Sequence, residues 1–354
     1  MRPSQSAALC GQATPRREPF PGFGMKTRLC ESGPPGATMP TEIIRPESRS
    51  AWLAARKMDV TASVAGALIG AHPYTDRLRL WGEKTGRIAD AIDDSPILRR
   101  GRLFEAVAIQ IMREDYPHWL IDHNAANVYY RDPALRMGAT PDAFCRRPDM
   151  AGIGIIQIKT VQESDFRRLW LDEDGALEPP LWIAAQALIE RRLTGADWAA
   201  VVPLIYGYGV RIEFAEIPDS PALFDALAAR TAEFWRVVES GETPPDDWGE
   251  RPESTFEAWA KSDGTIVALD DKHGMLSADA DRYVALGEEI ASKKAARAAI
   301  KARLIRALGD HEAAQVGEFR ISAPTQYRPA HEVGESRTRS IRIRKKENPA
   351  NGKF

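Results

Sequence analysis

Apolar positions along this chain change their spacing several times, and the changes delimit its elements. Residues 1 to 45 show almost no hydrophobic periodicity and are rich in Pro, Gly, Ser and Arg, so they are expected to be disordered. From Arg45 the spacing turns helical, through Ser48, Ser50, Trp52 and Leu53 into Ala54 and Lys57. Thr61 to Ile69 is small and apolar, His72-Pro73-Tyr74 makes a loop, and Leu78, Leu80 and Trp81 open a helix ending near Gly86. After a turn at Arg100-Gly101-Arg102, the positions Leu103, Val107, Ile111 and Met112 predict the apolar face of a third helix, with Glu105 on its flank.

Between Leu120 and Val161 the spacing shortens, and Val128 to Tyr130, Met137 to Thr140, Ala143-Phe144 and Ile153 to Ile158 read as strands separated by turn residues. Trp182 to Arg192 reads as a helix, Ala199 to Tyr206 and Val210 to Phe214 as strands, and Pro221 to Ser240 as a helix stopped by Gly241 and Pro244-Pro245. The segment Ala278 to Leu308 sets Tyr283, Leu286, Ile290, Ile300, Leu304 and Leu308 on one narrow stripe. That predicts an amphipathic helix, expected to dock on the core or fold as a short helical hairpin rather than form a coiled-coil arm. The order of elements gives an α/β (α+β) class with one mixed central β-sheet flanked by helices. We place this core at 46–248, a C-terminal helical extension at 249–318 and a basic tail at 319–354.

Composition narrows the possibilities. At 354 residues and 44% hydrophobic content, the chain is long enough to bury a substantial core. Cys10, Cys30 and Cys145 have no paired spacing and the six histidines form no cluster with them, which argues against a disulfide scaffold or a structural zinc site and for a reducing, cytoplasmic setting. The longest charge-free apolar run, within Trp198 to Val210, falls short of the ~20 residues of a membrane span, and no start-proximal segment resembles a signal peptide. Met25 and Met39 lie inside the first stretch, as expected of an over-extended start, and its seven prolines oppose a transit-peptide helix. Net charge is only −2, yet Arg320 to Phe354 carries nine Lys or Arg against three Glu, so the tail either neutralises phosphates or is a solvated end.

The candidate chemistry lies in the middle of the chain: Glu105, Pro141-Asp142, Gln157-Ile158-Lys159 and Gln186. Asp142 and the Gln-x-Lys triplet sit on two short apolar segments with turn residues between them, so a hairpin would set them side by side. Asp142 offers the hard oxygens that magnesium takes, Gln157 its amide oxygen, Ile158 its carbonyl and Glu105 a second carboxylate. Lys159, on the same face as Gln157, can orient a water or stabilise charge on a phosphate. This set reads as a metal-dependent phosphodiester-hydrolysing site. The motif is short, however: Pro-Asp occurs four times, at Asp142, Asp149, Asp219 and Asp246, and Asp149 reads as the hairpin turn itself. His72 reads as a loop or packing residue, and Trp81, Trp182, Trp198 and Trp235 as core. Arg99, Arg100 and Arg102 are either DNA-phosphate contacts or a solvated cluster.

The company of the motif gives it specificity. Arg56 is followed seven residues later by Ser63, within Val60-Thr61-Ala62-Ser63. Gly70 to Tyr74, the Trp81 to Gly86 helix end, Arg100-Gly101-Arg102 with Glu105, and Gly138-Ala139-Thr140-Pro141-Asp142 come next. Ile156 to Thr160, Gln186, Thr194 to Trp198 and the Phe234-Trp235 helix complete the series. Over about residues 50 to 245 the chain resembles the lambda-exonuclease and YqaJ-type phage recombinase branch of the PD-(D/E)XK nucleases. The resemblance implies a restriction-endonuclease-like core and a magnesium- or manganese-dependent exonuclease that digests one strand of linear double-stranded DNA from the 5′ end. It implies metal binding by Asp142, a catalytic Lys159, a helix-borne acid at Glu105 and an active-site Gln186. It assigns Arg56 and Ser63 to the 5′-phosphate, consistent with guanidinium and hydroxyl donors. It further implies a phage or prophage setting, a ring-forming homo-oligomer and a single-strand-annealing partner. The departure is Gln157, where most of the superfamily places Glu or Asp, so metal affinity is expected to fall. Two rival readings follow: a catalytically weak DNA-end-binding accessory protein, and an endonuclease of the same superfamily.

Overall fold

The computed structural model describes residues 41–89, 95–248, 251–271 and 274–325. The expectations for residues 1–40 and for most of the basic tail fall outside these. The helices are α1 (Arg49–Lys57), α2 (Ala62–Ala65), α3 (Arg77–Lys84), α4 (Pro96–Asp115), α5 (Glu163–Leu169), α6 (Leu181–Thr194), α7 (Pro221–Ser240), α8 (Pro252–Ala258) and α9 (Met275–Leu308). The strands are β1 (Glu42–Ile44), β2 (Val60–Thr61), β3 (Leu120–His123), β4 (Tyr129–Asp132), β5 (Met137–Ala139), β6 (Ala143–Arg146), β7 (Gly154–Gln162), β8 (Trp198–Tyr206), β9 (Val210–Ile212), β10 (Ala215–Ile217), β11 (Ala313–Val316) and β12 (Phe319–Ser322).

The mixed α/β class holds, but the described strands form three sheets rather than one. The larger core sheet has the order β10-β8-β7-β6-β3 with β9 also on β8, the smaller core sheet the order β1-β4-β5-β2, and β11 and β12 pair separately. Strands β7 and β8 run parallel over nine paired residues, from Gly154↔Trp198 to Gln162↔Tyr206. The α6 crossover between them is apolar nearly all round, and Ile183, Ala185, Ala187, Leu188, Ile189 and Leu193 are all buried. Ile183 and Ala187 pack with Ile155, Ala199 and Val201 of the larger sheet. Ala185, Ile189 and Leu193 pack with Tyr130, Met137 and Ala139 of the smaller. Helix α6 is therefore sandwiched between the sheets, while Ala108, Ile109 and Met112 of α4 cover the opposite face of the larger one, against Ile156 and Ile158.

Four expectations need correction. Residues 42–44 form β1, paired with Tyr129 to Arg131, so order begins before Arg45. Arg100-Gly101-Arg102 is not a turn: α4 starts at Pro96, with Ser95 Oγ accepting from Leu98 N at 3.2 Å, and runs through Gly101. The core does not stop at 248, because Ala258 and Ser254 are buried and Trp259 stacks on Trp81 with centroids 5.8 Å apart. Helix α9 is one continuous helix that does not fold back: of the predicted stripe, Tyr283, Leu286, Ile290, Ile300 and Leu304 are each 38–51% exposed among the described residues, and Leu308 at its end is buried. Its Ala- and Lys-rich middle propagates helix without a break, aided by the i,i+4 pair Glu289–Lys293 at 2.5 Å.

Candidate active site

Strands β6 and β7 form the expected hairpin, with Ala143 opposite Ile156, which brings Asp142 to the middle of β7. Asp149 lies exposed in the connecting turn, paired with Arg147. The Asp142 turn is pinned by Asn124, whose Nδ2 donates to Pro141 O at 2.9 Å and whose backbone N donates to Asp142 O at 2.9 Å. Trp52 Nε1 donates to Thr140 Oγ1 at 3.1 Å and so ties α1 to the same turn.

Asp142 Oδ2 accepts from Ile158 N at 2.6 Å and from Gln157 Nε2 at 2.5 Å. Period-2 alternation turns Gln157 and Lys159 toward α6. There Lys159 Nζ donates to Gln186 Oε1 at 2.8 Å, and Gln186 Nε2 donates to Gln157 Oε1 and to Glu190 Oε1, both at 2.8 Å. Gln157 thus presents its amide nitrogen to Asp142, and the Ile158 carbonyl accepts from that nitrogen at 3.2 Å. From α4, Glu105 Oε1 lies 2.7 Å from His123 Nε2 on β3. Burial and then the Glu105 charge push the Asp142 carboxyl up to about 7, while Lys159 and the Ile158 N–H pull the other way. Burial lowers the Lys159 ammonium, opposed by Asp142 and Glu190. Burial, then Asp142, raises Glu190.

Beside this centre, Arg56 Nη2 donates to Ser63 Oγ at 3.1 Å and to Thr61 Oγ1 at 3.4 Å, with its guanidinium over the Trp52 ring at 4.4 Å. The Arg56 charge reaches both Lys159 and Glu190. Arg102 lies exposed on α4, one turn before Glu105. His72 packs on Trp182 with ring centroids 4.7 Å apart, and burial, then Lys159, lowers its pKa to about 4, which leaves a neutral packing residue. Trp81, Trp198 and Trp235 are core residues.

The structure therefore brings Glu105, Asp142, Gln157, Ile158, Lys159 and Gln186 together, with Arg56 and Ser63 alongside. His123, Asn124 and Glu190 were not anticipated from the sequence. No group of three or more His, Cys, Asp or Glu able to hold a metal occurs among the described residues. The donors nonetheless suit a hard cation that keeps most of its waters: the Glu105 charge acts on the Asp142 carboxyl, and a neighbouring carbonyl belongs to Ile158.

Residues 51–195 match the YqaJ-like viral recombinase domain, so the resemblance read from the sequence holds over this narrower range. No curated protein sequence matches the chain. Among solved structures, the chain is similar to an alkaline exonuclease from Laribacter hongkongensis, at 19% identity over 54% of this chain and 93% of that one, with a TM-score of 0.40. The same enzyme in complex with dAMP aligns at 18% identity over 54% and 93%, with a TM-score of 0.39. Among the described residues no helix is long and apolar enough to cross a membrane.

Proposed function

We propose that this chain is a metal-dependent deoxyribonuclease that degrades linear double-stranded DNA from its 5′ ends to prepare it for recombination. The observation that carries this reading is the convergence of Asp142, Lys159 and Glu105 on one hairpin and one helix flank, inside a stretch matching a viral recombinase domain. Asp142, Glu105 and the Ile158 carbonyl would hold magnesium or manganese, which when bound supplies Lewis-acid activation of water and of the scissile phosphate. Lys159, held at 2.8 Å by Gln186 Oε1, keeps a cation at the reacting phosphate. The Arg56, Thr61 and Ser63 cluster provides charge-assisted donors for a 5′-terminal phosphate, which selects ends over internal sites. A single-strand-annealing protein acting on the exposed strand and a ring of subunits enclosing the duplex complete the proposal.

The test is digestion of linear duplexes bearing 5′-phosphate or 5′-hydroxyl, beside closed circles, in magnesium, by wild type and Lys159→Ala. Loss of the 5′-phosphorylated linear substrate alone, abolished in the variant, is the expected result. Cut circles would make the protein an endonuclease. A second reading, a DNA-end-binding accessory protein, is favoured by one observation: Gln157 turns its nitrogen, not its oxygen, toward Asp142. Under that reading neither wild type nor Asp142→Ala gives heat on titration with manganese.

A further inference from the structure

The side-chain chain from Lys159 to Asp142 has a fixed direction, and Glu190 helps to set it. An ammonium has donors and no acceptor, so Gln186 must turn its oxygen to Lys159. Its NH2 then faces Gln157 and Glu190, and Gln157 can only meet it with oxygen, leaving its own NH2 for Asp142. The amide at 157 is thereby spent on hydrogen bonds and brings no negative charge to the centre. A carboxyl group is available one helical turn beyond Gln186, at Glu190, which is 0% exposed. Its Oε2 is buried without a hydrogen-bond partner. Burying a carboxylate in this way costs several kcal/mol unless charge compensates it: burial and then Asp142 raise Glu190, Lys159 and Arg56 act the other way, and a cation bound by Asp142 would remove the second of the raising causes. A buried carboxylate with one oxygen on Gln186 and the other unpaired calls for an explanation, and a charge kept for function rather than stability supplies one.

We propose that Glu190 is the displaced carboxylate of this centre: a positioning residue that replaces the charge absent at Gln157, orients Gln186 and Gln157, and raises the site's affinity for a divalent cation. The inference rests on the nuclease reading above. It makes the two positions exchangeable in charge, because a carboxylate at 157 and one at 190 meet the same Gln186 NH2.

The experiment is calorimetric titration of the full-length protein with manganese, on wild type, Glu190→Gln, Gln157→Glu and the double variant Gln157→Glu/Glu190→Gln. Thermal melting without metal runs in parallel. Glu190→Gln keeps the shape and an acceptor, so it is expected to fold at least as stably as wild type while losing about tenfold to a hundredfold in manganese affinity, the usual effect of losing an outer-shell partner. Gln157→Glu alone binds more tightly, and the double variant returns to within about threefold of wild type, because charge has been moved rather than lost. A Glu190→Gln protein that binds manganese like wild type overturns the inference and makes Glu190 a packing residue. A double variant weaker than Glu190→Gln also overturns it, and it applies even if Glu190→Gln is poorly stable. A wild type that binds no manganese and cuts no DNA overturns the nuclease reading first and this one with it.

Discussion

The pH dependence of cation binding follows from the burial of Asp142. Its ordinary value is 3.8, and in the folded protein burial and the Glu105 charge bring it to about 7. A cation must displace that proton, so lowering the pH from 8 to 6 takes the carboxyl from about nine-tenths ionised to about one-tenth and weakens manganese affinity about tenfold. At pH 7 binding releases about half a proton, measurable by repeating the calorimetry in buffers of different ionisation enthalpy. Glu105→Gln removes the second of the two causes, so its weaker binding should depend less steeply on pH. The same shift acts on stability without metal. The folded state holds the Asp142 proton more tightly than the unfolded chain, so this group's contribution is fully present below about pH 4 and is lost as pH rises through about 7. Manganese affinity that is flat between pH 6 and 8 would refute the argument, since an Asp with an ordinary pKa is fully ionised throughout that window.

Lys159→Ala should abolish DNA cleavage while retaining manganese binding, because Nζ contacts Gln186 rather than a carboxylate; calorimetry and digestion run on one preparation decide it. Arg56→Ala and Ser63→Ala should each reduce the preference for 5′-phosphate over 5′-hydroxyl ends, by about ten- to a hundredfold for Arg56 if one charged hydrogen bond contributes about 1.5–3 kcal/mol, as competition between labelled ends would show. Asp59→Ala should destabilise the fold by about 3–5 kcal/mol in denaturant melts. It removes the buried carboxylate to which Arg131 Nε and Nη2 both donate at 2.9 Å and Tyr129 OH at 3.0 Å, and leaves the part-buried Arg131 with its exposed partner Glu42 at 3.0 Å.

The hairpin half of the site was legible because it is local. Turn residues between two short apolar runs set Asp142 against Gln157, and period-2 alternation put Lys159 beside Gln157. Arg56 and Ser63 carried no such signal, since the six residues between them cross from α1 through β2 into α2, and only the resemblance joined them. His123 was hidden because Leu120-Ile121-Asp122-His123 runs two apolar residues and then two polar ones, so its sequence lacks the alternation that the burial of β3 shows against β6.

The miss at Glu190 has a different cause. Reading the strands as a single sheet leaves α6 with one covered face and gives no reason to expect a buried Glu four residues after Gln186. With β4 and β5 forming a separate sheet on its other flank, α6 has no solvated side along Ala185 to Glu190. The sequence carries the clue, since Ile183, Ala184, Ala185, Ala187, Leu188 and Ile189 surround the helix axis, and a helix apolar all round is buried all round. A Glu inside such a segment has to be buried, and a buried Glu beside an active-site Gln has to be neutral, compensated or used. The replacement of an expected carboxylate by Gln157 and the appearance of an unexpected one at Glu190 are then parts of a single charge balance, and manganese affinity measured at both positions together tests it more sharply than either substitution alone.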